Sequence, residues 1–315
     1  MMYEKILVAL DGSQLSEGVL PYARALAGSL KVTVELLRAI DISEMTTRIS
    51  PGTGRFLDTL AEDETRRSTD YLKQIAHRFP GINVQCGVEK GKPADVIIDR
   101  AAAGKNMLIA MATHGRSGPN RWLLGSVAEK VLRGSINPLL LVRVNEKAKS
   151  DSEATLKSVI VALDGSALAE TILPTVVELA KALNLEVLLI RVFDIPATLY
   201  GGSEGRYAIN YDAIRERFKS EAHGYLGNKA EELRPLGLDK VSLVCPAGNS
   251  ADEILLLGQQ VPDSFIAMCS HGRSGMSRWV LGSVTEKVVR HSDNPVLIIR
   301  PGTESAYAAH ARRAT

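Results

Sequence analysis

The chain of 315 residues has little cysteine, three residues in all, and few aromatics, at 5%. Cys86, Cys245 and Cys269 show neither paired nor metal-type spacing. That excludes a disulfide framework and a zinc-finger-like site, and it fits a reducing compartment. Neither sign of charge dominates: 38 Lys and Arg stand against 36 Asp and Glu, a net charge of +2. Composition therefore gives no case for general affinity to nucleic acid or an anionic membrane. Clusters such as Arg66-Arg67 and Arg312-Arg313 read as solvated surface. No apolar run is long enough to span a bilayer, and Met1 to Lys5 leads into a strand rather than a signal peptide. A cytoplasmic protein is expected. The phosphate-binding pattern Gly-x4-Gly-Lys-Ser/Thr is also missing; the nearest string, Gly87 to Pro93, has the wrong spacing and ends in proline.

What is present is a composition of 45% hydrophobic and 23% charged residues, enough for a buried core in each of about two domains of roughly 100–200 residues. One stretch occurs twice: His114-Gly115-Arg116-Ser117-Gly118, continuing to Trp122 and Gly125-Ser126, and His271-Gly272-Arg273-Ser274-Gly275, continuing to Trp279 and Gly282-Ser283. The rest of the chain repeats with it. Asp164-Gly165-Ser166 mirrors Asp11-Gly12-Ser13 at an offset of 164 − 11 = 153, and Pro174 mirrors Pro21 at the same offset. From Gly91 and Gly248 onward the offset is 248 − 91 = 157, and it stays there through the glycine motif. The net gain of four residues in the second copy is expected near its insertion, Pro196 to Tyr211. Constant offsets on both sides of one length change indicate a duplication. The domains are read as 1–146 and 157–301, with a linker at 147–156 and a tail at 302–315.

Along the first copy, Lys5 to Leu10 is a continuous apolar run of the kind covered on both faces in a parallel sheet. A helical pattern carrying Val19, Leu20, Ala23, Leu26 and Ala27 follows, with Pro21 marking a kink or a late helix start. A strand is expected over Val32 to Ile40, a loop or lid over 42–60, and a helix from Asp63 to His77. After them come a strand from Ile82 to Gly87, a helix opened by Gly91 to Asp95, and a strand from Met107 to Met111. The glycine loop, a helix from Ser126 to Arg133 and a last strand from Leu139 to Val144 complete the copy. Alternation of strands and helices calls for a doubly wound parallel sheet. Ligands of such sheets sit beyond the strand carboxyl ends, where the strand order reverses.

The order strand, glycine loop, helix start suggests a phosphate cradle. Unpaired backbone N–H groups and the positive end of the helix dipole favour an anion there. Ser126-x-x-Glu129 also reads as a capping box that satisfies those donors without any ligand. If the first and fourth strands are neighbours at the reversal, Asp11, Ala39 and the glycine loop converge on one crevice. A carboxylate for a ribose hydroxyl and a small residue beside a flat base then suggest a nucleotide.

On these residues the chain resembles tandem members of the universal stress protein family. The resemblance rests on Ile6 to Ser13, on Val159 to Ser166, and on the two glycine motifs, and it covers residues 3–144 and 157–300. It implies two tandem α/β domains, each a five-stranded, doubly wound parallel sheet of the Rossmann-like, adenine-nucleotide alpha hydrolase-like type, related by pseudo-twofold symmetry. Nucleotide-binding members carry Gly-x2-Gly-x9-Gly-Ser/Thr. Here Gly115, Gly125 and Ser126, and Gly272, Gly282 and Ser283, match it, while Ala112 and Cys269 stand in place of the first glycine.

The resemblance implies ATP or ADP, with or without magnesium, in each domain. It places Asp11 and Asp164 against the adenosine, Ala39 and Val192 beside adenine, and Met111-Ala112 and Met268-Cys269 at the strand ends. Val127 and Val284 would offer backbone N–H groups to phosphate, with Arg116 and Arg273 reaching from the loops. It further implies internal pairing through the last strands, leaves room for a homodimer, and suggests a nucleotide-dependent sensor or regulator in stress response. No catalytic or metal-ligating residue is expected. His114 and His271 read as structural, Trp122 and Trp279 as loop anchors, and Ser13 and Ser166 as helix caps. The alternatives are a nucleotide-free interaction protein, a slow ATPase, or an adenylylating enzyme with an acceptor site in 42–60 or 196–211, where no suitable chemistry is visible.

Overall fold

The structure is a computed structural model that describes residues 3–42, 54–104, 106–113, 124–143, 153–194, 211–270 and 281–300. It divides into two compact units, residues 1–155 with 297–315 and residues 156–296. In unit 1, β1 (Lys5–Ala9), β2 (Thr33–Ile40), β3 (Val84–Lys90), β4 (Met107–Ala112) and β5 (Leu139–Val142) lie in the order β3-β2-β1-β4-β5. Each adjacent pair is parallel. Every residue of β4 and β5 is buried, as expected for strands covered on both faces. The helices are α1 (Gln14–Glu17), α2 (Leu20–Leu30), α3 (Gly54–Ala76), α4 (Pro93–Ala103) and α5 (Ser126–Gly134).

Unit 2 repeats the plan with β6 (Ser158–Ala162), α6 (Ala167–Glu170), α7 (Leu173–Leu183), β7 (Glu186–Ile190), α8 (Tyr211–Leu233), β8 (Val241–Val244), α9 (Ser250–Gln260), β9 (Ser264–Cys269) and α10 (Ser283–His291). Its order β9-β6-β7-β8 matches β4-β1-β2-β3 and is also parallel. The last strand, β10 (Val296–Ile299), straddles the boundary between the units.

The strand order reverses between β1 and β4, whose registers pair Ala9 with Met111. In unit 2 the reversal falls between β6 and β9, with Val161 opposite Ala267. Asp11 and Thr113, which follow these two strands, therefore leave the sheet side by side. Pro21 proves to mark a late helix start: it lies in the first turn of α2 after the short α1, and Pro174 does the same in α7. There the missing N–H costs nothing.

Three expectations need correction. Helix α3 begins at Gly54, nine residues before Asp63 (63 − 54), so the segment 42–60 is only partly loop. Nothing from Arg55 onward breaks a helix, and Ala61, Ser68, Leu72, Ile75 and Phe79 give a buried stripe at helical spacing. Strand β3 runs later than Ile82 to Gly87, because Gly81, at φ 73, and the turn before it delay the pairing until Val84. Helix α4 starts at Pro93, within the expected opening Gly91 to Asp95. Finally, the four extra residues of the second copy do not all enter before its long helix. Tyr71 donates to Glu17 at 3.2 Å and Tyr225 to Glu170 at 2.9 Å, so the helices align at 225 − 71 = 154. Strands β3 and β8 align at 241 − 84 = 157 through Val34 to Val84 and Val187 to Val241. Three of the four residues thus enter between Tyr225 and Val241, around the end of α8 and the 3₁₀ turn Arg234–Leu236 that succeeds it.

Glu35 of β2 distinguishes unit 1. Its side chain is 1% exposed and meets Lys5 Nζ at 2.7 Å and Arg100 Nε, whereas its counterpart at offset 153 is the apolar Leu188. Burial alone would raise this carboxyl, but hydrogen bonds and charge from Lys5 and Arg100 outweigh it and hold the group below its ordinary value. A depressed carboxyl contributes stability above the unfolded value of about 4.3, and that contribution drains away as pH falls through the lower folded value. Glu35→Gln is expected to destabilise unit 1 by about 1–3 kcal/mol at neutral pH. Denaturant unfolding should show the gap to wild type closing below about pH 4; an undiminished gap there removes this role for Glu35.

Candidate functional site

Each first strand ends in the same turn. Gly12 and Gly165 sit at φ 83 and 86, a region that only glycine enters without strain. The Oδ1 of Asp11 accepts from Ser13 N at 2.9 Å and Ser13 Oγ at 2.6 Å, and Asp164 accepts from Ser166 in the same way at 2.9 and 2.6 Å. The serines serve as the expected caps, accepting from Ser16 N and Ala169 N, each at 3.1 Å. Cap and carboxylate are thus locked together at the strand tip.

Beneath this turn lies a cluster that no sequence motif marks. Glu17 accepts from Tyr71 and pairs with Arg78 at 2.8 Å; Glu170 accepts from Tyr225 and pairs with Lys229 at 3.0 Å. Arg38 lies 5.4 Å from the Tyr71 ring centre and Arg191 lies 4.7 Å from that of Tyr225. Burial raises both phenols above their ordinary value. The Glu17 charge adds to this at Tyr71, the hydrogen bond to Glu170 adds at Tyr225, and Asp11 and Asp164 push the same way. Both tyrosines therefore stay protonated as donors. The signal was in the sequence: Glu170 follows Glu17 by 153, and the pair Tyr71-Leu72 returns as Tyr225-Leu226.

At the helix starts, the capping box is not formed. Gly125 is the N-cap of α5 and Gly282 that of α10, and neither helix has a side-chain cap hydrogen bond. Ser126 lies one position too far inside to cap, and Glu129 and Glu286 turn instead to Arg133 and Arg290, four residues on. Gly125 N donates to Thr113 O at 2.8 Å and Gly282 N to Ser270 O at 2.9 Å, which ties each helix start to the tip of the preceding strand.

In unit 2 these parts enclose a cavity of about 480 Å³, within the size range of small-molecule sites. Asp164, Val192, Met268, Cys269, Gly282, Ser283 and Val284 all line it. The sequence reading missed Arg191, Phe193, Phe218 and Glu221 on its wall, and Ser250 and Ile254 from α9. Cys269 is buried, with its Sγ 3.3 Å from Thr171 Oγ1. In unit 1 the strand pairing sets Asp11 just past β1, Met111 and Ala112 at the end of β4, Ala39 near the end of β2, and Ser126 and Val127 in the first turn of α5. Gly115, Arg116, Gly272 and Arg273, with His114, His271, Trp122 and Trp279, lie outside the described residues. Among the described residues, no group of His, Cys, Asp and Glu is arranged to hold a metal ion, and no helix is long and apolar enough to cross a membrane.

The profile of the universal stress protein family matches the chain twice, over residues 2–143 and 155–300. The chain belongs to the universal stress protein family. A universal stress protein of Mycolicibacterium smegmatis is 22% identical over 94% of this chain and 97% of its own length. Universal stress protein MJ0531 of Methanocaldococcus jannaschii is 30% identical over 46% of this chain and 85% of its own. The crystal structure of a universal stress protein from Archaeoglobus fulgidus superposes at a TM-score of 0.66 with 22% identity, covering 96% of this chain and all of that one. As a tandem universal stress protein, the chain holds two family domains built on a parallel α/β sheet.

Ser13→Ala and Ser166→Ala each remove one cap and one partner of the aspartate at the turn. A loss of about 1 kcal/mol in unfolding free energy is expected for each, read by denaturant titration. Unchanged stability in both would mean that the turn does not depend on its serine.

Proposed function

We infer that this universal stress protein binds ATP or ADP in each unit and acts as a nucleotide-dependent sensor or regulator in stress response. The observation that carries the reading is the cavity of unit 2: Asp164 from one strand tip, Met268 and Cys269 from the neighbouring strand, and Gly282 to Val284 at a helix start with no side-chain cap line one space. Amides at such a start favour a polyphosphate, and a carboxylate on the facing tip suits a ribose hydroxyl. On this reading Val284 and Val127 present backbone N–H groups to phosphate. Val192 and Ala39 flank the base, and Arg116 and Arg273 of the glycine motifs reach the phosphates. One universal stress protein of solved structure, 22% identical over 45% of this chain at a TM-score of 0.32, is in complex with cAMP.

The same resemblance has the two halves pairing through their last strands, in a cytoplasmic protein that does not depend on catalysis. Magnesium, where present, would come with the nucleotide. Its role would be to offset phosphate charge.

The test exploits a feature of the fold. Proline is tolerated in the first turn of a helix, as Pro21 and Pro174 show in α2 and α7. Val284→Pro therefore deletes one backbone donor and leaves the helix intact. Isothermal titration with ATP should show the second site weakened roughly ten- to a hundredfold, the worth of one hydrogen bond to a charged group. Heat-denatured wild-type protein should also release adenine nucleotide into the supernatant. No ATP binding by wild type, and no released nucleotide, would favour the nucleotide-free reading, in which Cys269 and Thr171 simply fill the space of the missing glycine.

A further inference from the structure

The internal repeat pairs the two units residue by residue, and they differ at the cavity wall. In unit 2, Arg191 lines the cavity immediately before Val192. Its side chain is only 11% exposed. One side of the guanidinium rests on the Tyr225 ring, 4.7 Å from its centre, and its edge is held by Glu221 at 3.1 Å. A guanidinium fixed in this way presents a flat, weakly hydrated face that stacks well on planar rings. Phe218 lies one helical turn before Glu221 on α8 and lines the same cavity, half-buried.

Unit 1 keeps the arginine and its tyrosine but not the phenylalanine. At the helix offset of 154 set by Tyr71 and Tyr225, Phe218 corresponds to Glu64 (218 − 154), and Glu64 is the residue that pairs with Arg38, at 2.8 Å. The carboxylate partner has thus moved one turn along the helix in unit 2, from the Glu64 position to Glu221, and the vacated position carries an aromatic ring. Phe193, also on the cavity wall, replaces Ile40 at offset 153. An ion pair alone would not require this shift, because unit 1 makes the pair without it.

We propose that Arg191, backed by Tyr225, and Phe218 wall a stacking slot for a planar heterocyclic base at one end of the unit 2 cavity, and that Glu64 in place of the ring makes unit 1 the weaker base site. This rests on the nucleotide reading above and deepens it: both units hold polyphosphate, but the second discriminates for the base. The two sites are therefore unequal in ATP affinity and alike in affinity for the phosphate chain alone.

The test is calorimetric titration of the full chain with two probes, ATP and inorganic tripolyphosphate. Phe218→Glu, which copies unit 1, should weaken the tighter ATP site roughly tenfold, the scale of one lost base–aromatic stack, and leave tripolyphosphate binding unchanged. Phe218→Tyr should keep wild-type ATP affinity, and Arg191→Lys, which retains the charge and loses the plane, should weaken ATP selectively. Glu64→Phe should tighten the weaker site for ATP. Thermal melts of each variant report whether the fold is intact. Wild-type ATP affinity in Phe218→Glu, or an equal loss for both probes, overturns the slot. Wild type binding ATP no more tightly than tripolyphosphate overturns the slot and leaves the phosphate site standing. Wild type binding neither probe overturns the nucleotide reading and the slot with it.

Discussion

Parallel pairing between the first and fourth strands of each unit is the constraint on which the rest depends. Hydrogen bonds from Lys5 opposite Met107 to Ala9 opposite Met111, and from Ser158 opposite Ser264 to Val161 opposite Ala267, fix two carboxyl ends beside each other. The chain leaves those ends toward different flanks of the sheet, because the strand order reverses there. A crevice is the geometric consequence. In unit 2 its walls are the residues that follow the strands: Asp164 on one side, and the first turn of α10 on the other. The strands hold this geometry firmly because β4 and β9 are buried along their whole length.

Behind the crevice, the link between the aspartate turn and the long helix is made twice with different residues. Glu17 and Glu170 keep their places, as do Tyr71 and Tyr225, but the cation on the glutamate comes from Arg78 in one unit and Lys229 in the other. At the helix offset of 154, Arg78 corresponds to position 232, so Lys229 reaches from one turn earlier. The carboxylate on the stacked arginine shifts one turn the opposite way, from Glu64 to Glu221. Glu17 is buried and Glu170 half-buried, and a desolvated carboxylate left without a partner is costly; the pairing is kept in both units while the residue that supplies the cation differs. What the fold preserves here is charge compensation beneath the turn, and helix geometry offers more than one position from which to supply it.

The two units share a backbone plan and differ in side chains on the sheet face and around the strand tips. Unit 1 carries an ionic cluster around Glu35 that unit 2 replaces with Leu188. Unit 2 carries Cys269 against Thr171 where unit 1 has Ala112 and Gly18. A duplication relieves each half of the need to do everything, and the differences gather at the sheet face and the cavity rather than in the strand pairing.

The duplication, the parallel sheet with its reversal, and the strand-tip residues were legible in the sequence, because continuous apolar runs and a constant offset of 153 or 157 are properties of the chain itself. That Pro21 interrupts the helical pattern was legible for the same reason, since proline acts on its own neighbours, while the choice between a kink and a late start came with the structure. The start of α3 at Gly54, the failure of Ser126 to cap, and the place of the inserted residues were decided only in three dimensions. A one-residue shift of a cap leaves no trace in composition, and a long helix is held by what its buried face meets. The same holds for Arg191, Tyr225 and Phe218. They lie up to 225 − 191 = 34 residues apart; Arg191 and Phe218 reach one cavity, with Tyr225 against the arginine, only when a strand end and a helix face are packed together.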